Sequence, residues 1–166
     1  MFELKTLALE AVPRALAKAE RYRLLNEPGE AQSICLDVIA ADPGNQEAVA
    51  TMILALTDQF SADSSHVNEA LNLIAGLRDP YERAYYAGII HERRAKAVLE
   101  HGTPRGGSLA HEWLCHAMSC YDDADAIRPL NNDDARLRWN ACARLIDRNP
   151  QIAPVVDEPQ EPLLSE

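Results

Sequence analysis

Residues 31–43 read AQSICLDVIAADP, and residues 117–129 read AMSCYDDADAIRP. Each opens on Ala and carries apolar side chains four and seven positions on, Cys35 and Val38 in the first and Tyr121 and Ala124 in the second. Each closes on a proline at the twelfth, Pro43 and Pro129. Offsets of four and seven put side chains on one face of a helix, and a proline at that distance stops it. With Ile34 and Ile39 the first stretch has the full i, i+3, i+4, i+7, i+8 pattern of an amphipathic helix. The same pattern recurring in one chain points to a repeated helical unit rather than to two unrelated helices.

Outward from these stretches, each is preceded by a helix in common register. Ala15, Ala19 and Tyr22 align with Ala84, Gly88 and His91, and the small residues Ala19 and Gly88 suit close approach of paired helices. A looser middle pair holds Val49, Met52, Ile53 and Leu56, then Ala70, Ile74 and Leu77. Ala135, Trp139 and Cys142 begin a further unit whose second helix does not follow. Boundaries come from breakers and caps. Residues 1–11 read as a first helix with Leu4, Leu7, Ala8 and Ala11 on one face. Pro13 opens the next helix, residues 26–29 form a turn, and residues 42–45 another. A helix is expected over His66 to Leu77. Asp79 and Pro80 start a long helix to about Glu100, Gly102 to Ser108 read as a flexible connector, and a helix runs from Leu109 to about Ile127. A last helix lies between Asn132 and Pro150. The segment 151–166 has three prolines, four acids and no Lys or Arg, a composition expected to be disordered.

The shared register resembles the tetratricopeptide repeat (TPR), a helical hairpin of about 34 residues with W-x2-L-G-x2-Y on its first helix and A-x3-F and Pro on its second. Ala31, Cys35 and Pro43, and Ala117, Tyr121 and Pro129, occupy the second-helix positions. Lys18 and Arg138 stand where the pattern wants an apolar residue, and His91 replaces an aromatic. The resemblance covers residues 12–150 and implies an all-α, TPR-like stack of three antiparallel hairpins, closed by a C-terminal capping helix. The domain would span residues 1–150, followed by the acidic, proline-rich tail. Such a stack leaves a concave groove lined by the first helices, which in this family takes a partner peptide or helix. By register the groove would present Leu16, Glu20 and Arg23, then Glu47, Leu54 and Thr57, then Tyr85, Ile89 and Glu92, and last Arg136 and Asn140. Leu16 and Glu20 occupy two positions where chaperone-binding relatives carry Lys or Asn, which argues against that specialisation.

Gly88 and Ala117 are 29 residues apart, against 12 for Ala19 and Ala31. The extra length is expected to lengthen both helices of the third hairpin and make it project as an arm. Arg93, Arg94, Lys96 and Arg105 on that arm form a basic cluster suited to an acidic partner.

The 166-residue chain carries a net charge of -10, which repels nucleic-acid phosphates and anionic lipid. No apolar run approaches the ~18 residues of a membrane span. The four cysteines, Cys35, Cys115, Cys120 and Cys142, lack C-x-x-C spacing and read as apolar residues of helical stripes in a reducing cytoplasm. His111 to His116 invites a metal reading, but the second His lies five positions on, about 140° round a helix, where a zincin needs i, i+4. His111 and Cys115 have that spacing and form only half a site. There is no G-x-S-x-G motif, and residues 102–107 lack the Lys-Ser/Thr ending of a phosphate loop. No catalytic residue, metal or cofactor is therefore assigned. The expected function is that of a non-enzymatic adaptor or co-chaperone holding another protein. The alternatives are a helical metal-dependent hydrolase using His91, His111 and Cys115, or a structural subunit that self-associates through its ends.

Overall fold

The computed structural model describes residues 1–155. Among them the regular structure is entirely helical, with seven α-helices: α1 (Val12–Leu24), α2 (Pro28–Ala41), α3 (Gln46–Thr57), α4 (His66–Leu73), α5 (Pro80–His101), α6 (Gly106–Ala126) and α7 (Asp134–Arg148). Short 3-10 turns cover Leu9–Ala11 and Ile74–Gly76.

Local chemistry sets the ends. Pro13, Pro28 and Pro80 lie in first turns, where a missing N–H costs no helical bond. Asn26 stops α1 at φ 60°, and the Glu27 N–H reaches back to the Tyr22 carbonyl at 2.9 Å, which is the Schellman closure. Asn45 caps α3 by accepting from the Ala48 N–H, and the Asp79 carboxylate caps α5 by accepting from the Tyr81 N–H, both at 2.9 Å. Gly102 ends α5 at φ 61°, the left-handed conformation a glycine adopts without steric cost.

Each helix packs against its successor in the chain, and α3 also packs against both α1 and α5. Along α5 and α6 the partners run in opposite order, Gly88 and Glu92 meeting Tyr121 while Arg94 meets Trp113, so the two are antiparallel. The core has a small patch under α1 (Val12, Leu16, Val38, Ala48). A central mass includes Ala19, Ala31, Ile53 and Leu56, and a third cluster around Leu114, Ala117 and Tyr121 reaches Cys142 and Ile152. A β-carbon on Gly88 would lie 2.4 Å from the Tyr121 ring, so this glycine is what lets α5 and α6 come together.

Several boundaries differ from the sequence expectation. Residues 1–8 are not helical and only Leu7 is partly buried, because so short a periodic run does not hold a helix without a mate. The third helix ends at Thr57 and the fourth at Leu73, so Phe60 and Leu77 enter the core from turns instead. The connector after α5 is only residues 102–105, and α6 starts three residues before Leu109. Its Gly107 is pressed against the Gln151 carbonyl, where a β-carbon would lie 2.0 Å away.

That contact also corrects the projecting arm. The far end of the α5/α6 hairpin is flanked on one side by Gln151 and Ile152 and on the other by the turn after α3, where the Ser61 hydroxyl bonds Glu100. Ile152, placed by the sequence in the acidic tail, is 3% exposed in the third cluster. Residues 156–166, the rest of that segment, lie outside the described residues. Cys35 and Cys142 are buried as expected, whereas Cys115 is exposed because α6 turns that face to solvent.

Candidate functional site

The odd-numbered helices bring one charged surface together. Arg23 on α1 donates from Nε to Asp58 at 2.9 Å and from Nη1 to Glu20 at 3.2 Å. Arg93 on α5 approaches Asp58 from the other side at 3.7 Å. Next to Arg93 in the chain lies Glu92, 2% exposed, with three partners on its carboxylate. Lys96 Nζ donates at 2.6 Å, the Tyr121 hydroxyl at 2.6 Å, and Arg138 of α7 at 3.3 Å. Arg138 Nε also donates to the Tyr85 hydroxyl at 3.2 Å, and Tyr85 stacks on Tyr81 with ring centroids 5.7 Å apart.

Burial alone would push the Glu92 carboxyl up, but the hydrogen bonds from Lys96 and Tyr121 and the charges of Lys96 and Arg138 outweigh it and hold it below its ordinary value. The Tyr121 hydroxyl is driven far above its ordinary value by burial first and by the Glu92 charge second. It is a locked donor. Burial likewise pushes the neighbouring Cys142 thiol to about 12, which leaves it an inert apolar group. Cys35 is pushed by burial to about 11.

Between α5 and α7 the surface opens into a cleft of about 490 Å³, lined by Glu92, Lys96, Ala141, Cys142, Arg144, Leu145, Arg148 and Asn149. The lining from α7 follows i, i+3, i+4, i+7, so one stripe of that helix faces α5. Ala141, Cys142 and Leu145 form its apolar floor. Among the described residues, neither Arg144 nor Arg148 has a carboxylate within ion-pair distance.

The sequence-derived residues divide accordingly. Glu20, Arg23, Tyr85, Arg93 and Lys96 belong to this surface, and Leu54 is half-buried beside Tyr85 in the third cluster. Leu16 and Ile89 are 3% and 1% exposed. They fill the core, Leu16 on the same face of α1 as Val12 and Ile89 in the third cluster. Glu92 is buried rather than presented, and Thr57 is buried with its hydroxyl spent on the Leu54 carbonyl at 2.8 Å. Glu47 is exposed. Arg136 and Asn140 lie on the α6 side of α7, where they line a small cleft with Asp122 and Asp125, and Arg136 Nε donates to Asp125 at 2.7 Å.

The expected basic cluster is split. Arg93 and Lys96 share the odd-helix surface, Arg94 lies 3.7 Å above the Trp113 ring on another side of α5, and Arg105 is exposed in the connector. His111 and Cys115 approach to 3.8 Å, but His91 sits with Trp113 and His116 instead. Among the described residues no three of His, Cys, Asp and Glu converge as a metal would require, and no helix is long and apolar enough to cross a membrane.

Sequence reasoning missed Asp58, Tyr121, Arg138, Arg144 and Arg148. The last two carried a signal, two arginines four apart on the amphipathic face of α7. No family model matches the sequence, and neither the curated proteins nor the solved structures yield a match.

Proposed function

We propose that this chain is a TPR-like interaction module that holds a peptide or helix of another protein across the face formed by its odd-numbered helices. The observation that carries this reading is the packing of α3 on both α1 and α5, with α7 tied to α5 through Arg138. That arrangement lays the first helix of each sequence unit beside the next and leaves an open cleft at its end. The inward helices of stacked hairpins form such a surface, and α7 then serves as the solitary closing helix. As an adaptor, the chain would work in the cytoplasm and perform no chemistry on what it holds.

Site-specific photo-crosslinking tests the reading. A benzophenone side chain is placed at exposed positions of the odd helices, Glu20, Lys96 and Ala141, or of the even helices, Asp37, Glu69 and Cys115. Discrete adducts with another protein from the odd positions alone are expected. Adducts from the even positions alone, or the same adducts from both sets, would end the proposal.

A further inference from the structure

The α5–α7 cleft reverses the charge of the molecule around it. On a chain of net charge -10, its rim carries Lys96, Arg144 and Arg148. Arg138 stands behind it on the Glu92 carboxylate at 3.3 Å. Among the described residues Glu92 is the one acid lining the cleft, and its oxygens are already taken by Lys96, Tyr121 and Arg138. Arg144 and Arg148 are exposed and, among the described residues, without an acidic partner.

From this we infer that the cleft binds a short acidic segment of a partner protein, with two carboxylates on Arg144 and Arg148 and an apolar side chain on Ala141, Cys142 and Leu145. The inference rests on the interaction-module reading and names the class of guest.

The spacing supports it. Arg144 and Arg148 are one turn apart on α7, about 6 Å along its axis. Carboxylates two residues apart on an extended chain, about 6.6 Å, match that separation. Guanidinium forks take carboxylates by paired hydrogen bonds. The apolar floor separates this site from a bare anion patch, because an inorganic anion has nothing to place on Leu145. A nucleic acid is disfavoured by the same comparison. Its phosphates would continue past the cleft onto a surface whose overall charge is negative, whereas a segment with two or three acids ends where the cations end.

The test uses the full chain and two fluorescein-labelled decapeptides, Glu-Ser-Glu-Ser-Leu and Lys-Ser-Lys-Ser-Leu each repeated twice so that within a repeat both charges and the Leu share one face of an extended chain, read by anisotropy at low salt. Saturable binding of the Glu/Leu peptide and none of the Lys/Leu peptide is expected. The Arg144→Gln/Arg148→Gln variant should weaken binding roughly tenfold or more, and added salt should weaken it as well. Because both arginines are exposed, the variant should melt with the wild type, and Arg144→Lys/Arg148→Lys should recover part of the affinity.

Equal binding by wild type and the Gln variant, or no preference for the acidic peptide, would overturn the inference. If the crosslinks from the odd helices persist under those results, the interaction reading stands and only the acidic class falls. If the crosslinks fail too, both fall. Two other occupants have their own signatures, and either overturns the partner assignment. Concentration-dependent mass in light scattering, abolished by Arg144→Gln/Arg148→Gln, would give the cleft to a second copy. Peptide binding that emerges only after Asp157→Asn, Glu158→Gln and Glu161→Gln would give it to the chain's own last residues.

Discussion

The region α1–α3 and the region α5–α7 are both helices packed through small residues, yet they are fixed in place by different means. In the first, Ala19, Ala31, Cys35, Ile53, Ala55 and Leu56 are all fully buried and the interior is apolar. In the second, a carboxylate sits in the interior, with Tyr121, Lys96 and Arg138 converging on Glu92. The reason lies in α7. Its fully buried residues, Ala135 and Cys142, are both small, its larger apolar side chains Trp139, Leu145 and Ile146 are only partly buried against the third cluster, and no further helix among the described residues covers its other side. Partial burial of that kind leaves the position of α7 to be set by polar contacts as well. Arg138 crossing to Tyr85 and Glu92 satisfies all three groups in one geometry. A buried ionic network used for positioning more than for stability is a recognised use of such groups.

The largest test of this contrast is Glu92→Ala. It leaves the buried Tyr121 hydroxyl without its acceptor and the part-exposed Arg138 without its carboxylate, a change that costs about 4 kcal/mol, and hydrogen exchange should rise along α7 before it rises in α3. Uniform loss of protection across both regions would show that the network does not act locally.

The pH dependence of the same network is a second test. The folded Glu92 carboxyl lies below its ordinary value, so its contribution is fully present above the unfolded value, about 4.3. It is lost as pH falls through the lower folded value. The gap in melting temperature between wild type and Glu92→Gln should therefore be constant from neutral pH down to about 5 and close in stronger acid. A gap that widens on acidification would reverse the sign and discard the network as its source.

In the first region the counterpart is Ile53→Ala, 0% exposed in the wild type, with an expected cost of about 3 kcal/mol from lost burial and a residual cavity. Its deficit should show no dependence on pH between 3 and 7, about the range in which carboxylates titrate. A pH-dependent deficit would mean that the two regions are not chemically distinct. Gly88→Ala comes next, because its added carbon meets the Tyr121 ring while the hydroxyl of that ring is held by Glu92. Overpacking of this kind costs about 1–3 kcal/mol, and Tyr121→Leu should relieve most of it in the double variant.

The two regions were also unequally legible. The repeated offsets singled out Ala31, Cys35 and Val38, and Ala117, Tyr121 and Ala124, and all six are fully buried. Periodicity reports burial wherever a helix has one apolar face, and both stretches do. It fails at the N-terminus, where Leu4 is spaced like a core residue but is 89% exposed, because periodicity records a face and not whether anything covers it. It fails differently at Glu92 and Arg138. A glutamate on a helix reads as surface, and Arg138 reads as a mismatch in a repeat. Glu92 has a local partner in Lys96, four positions on, but its burial is explained by Tyr121 and Arg138, far away in the chain, and those pairings no local pattern encodes. Arg144 and Arg148 show the intermediate case, since their spacing is visible in the sequence while the cleft beside them is made by α5.

The smallest expected effect separates the regions most cleanly, because it holds the local chemistry constant. Asn45 caps α3 and Asp79 caps α5 by bonds of the same length, 2.9 Å. Removing either cap by substitution to Ala costs about 1 kcal/mol in general. The Asp79 carboxylate is anionic at the positive end of a helix dipole and Asn45 is neutral there, which adds a few tenths of a kcal/mol, up to about 1, to the loss at Asp79. On the other side, Asn45 also donates from Nδ2 to Asp42 at 3.0 Å, so Asn45→Ala breaks a second bond, in the turn that joins α2 to α3. If the regions differ only in their interiors, the two losses should be of similar size at neutral pH, the dipole contribution at Asp79 offsetting the second bond lost at Asn45. Urea unfolding of the two variants at neutral pH measures this directly. A loss at Asp79 several times that at Asn45 would mean that the start of α5 is under the control of the Glu92 network as well.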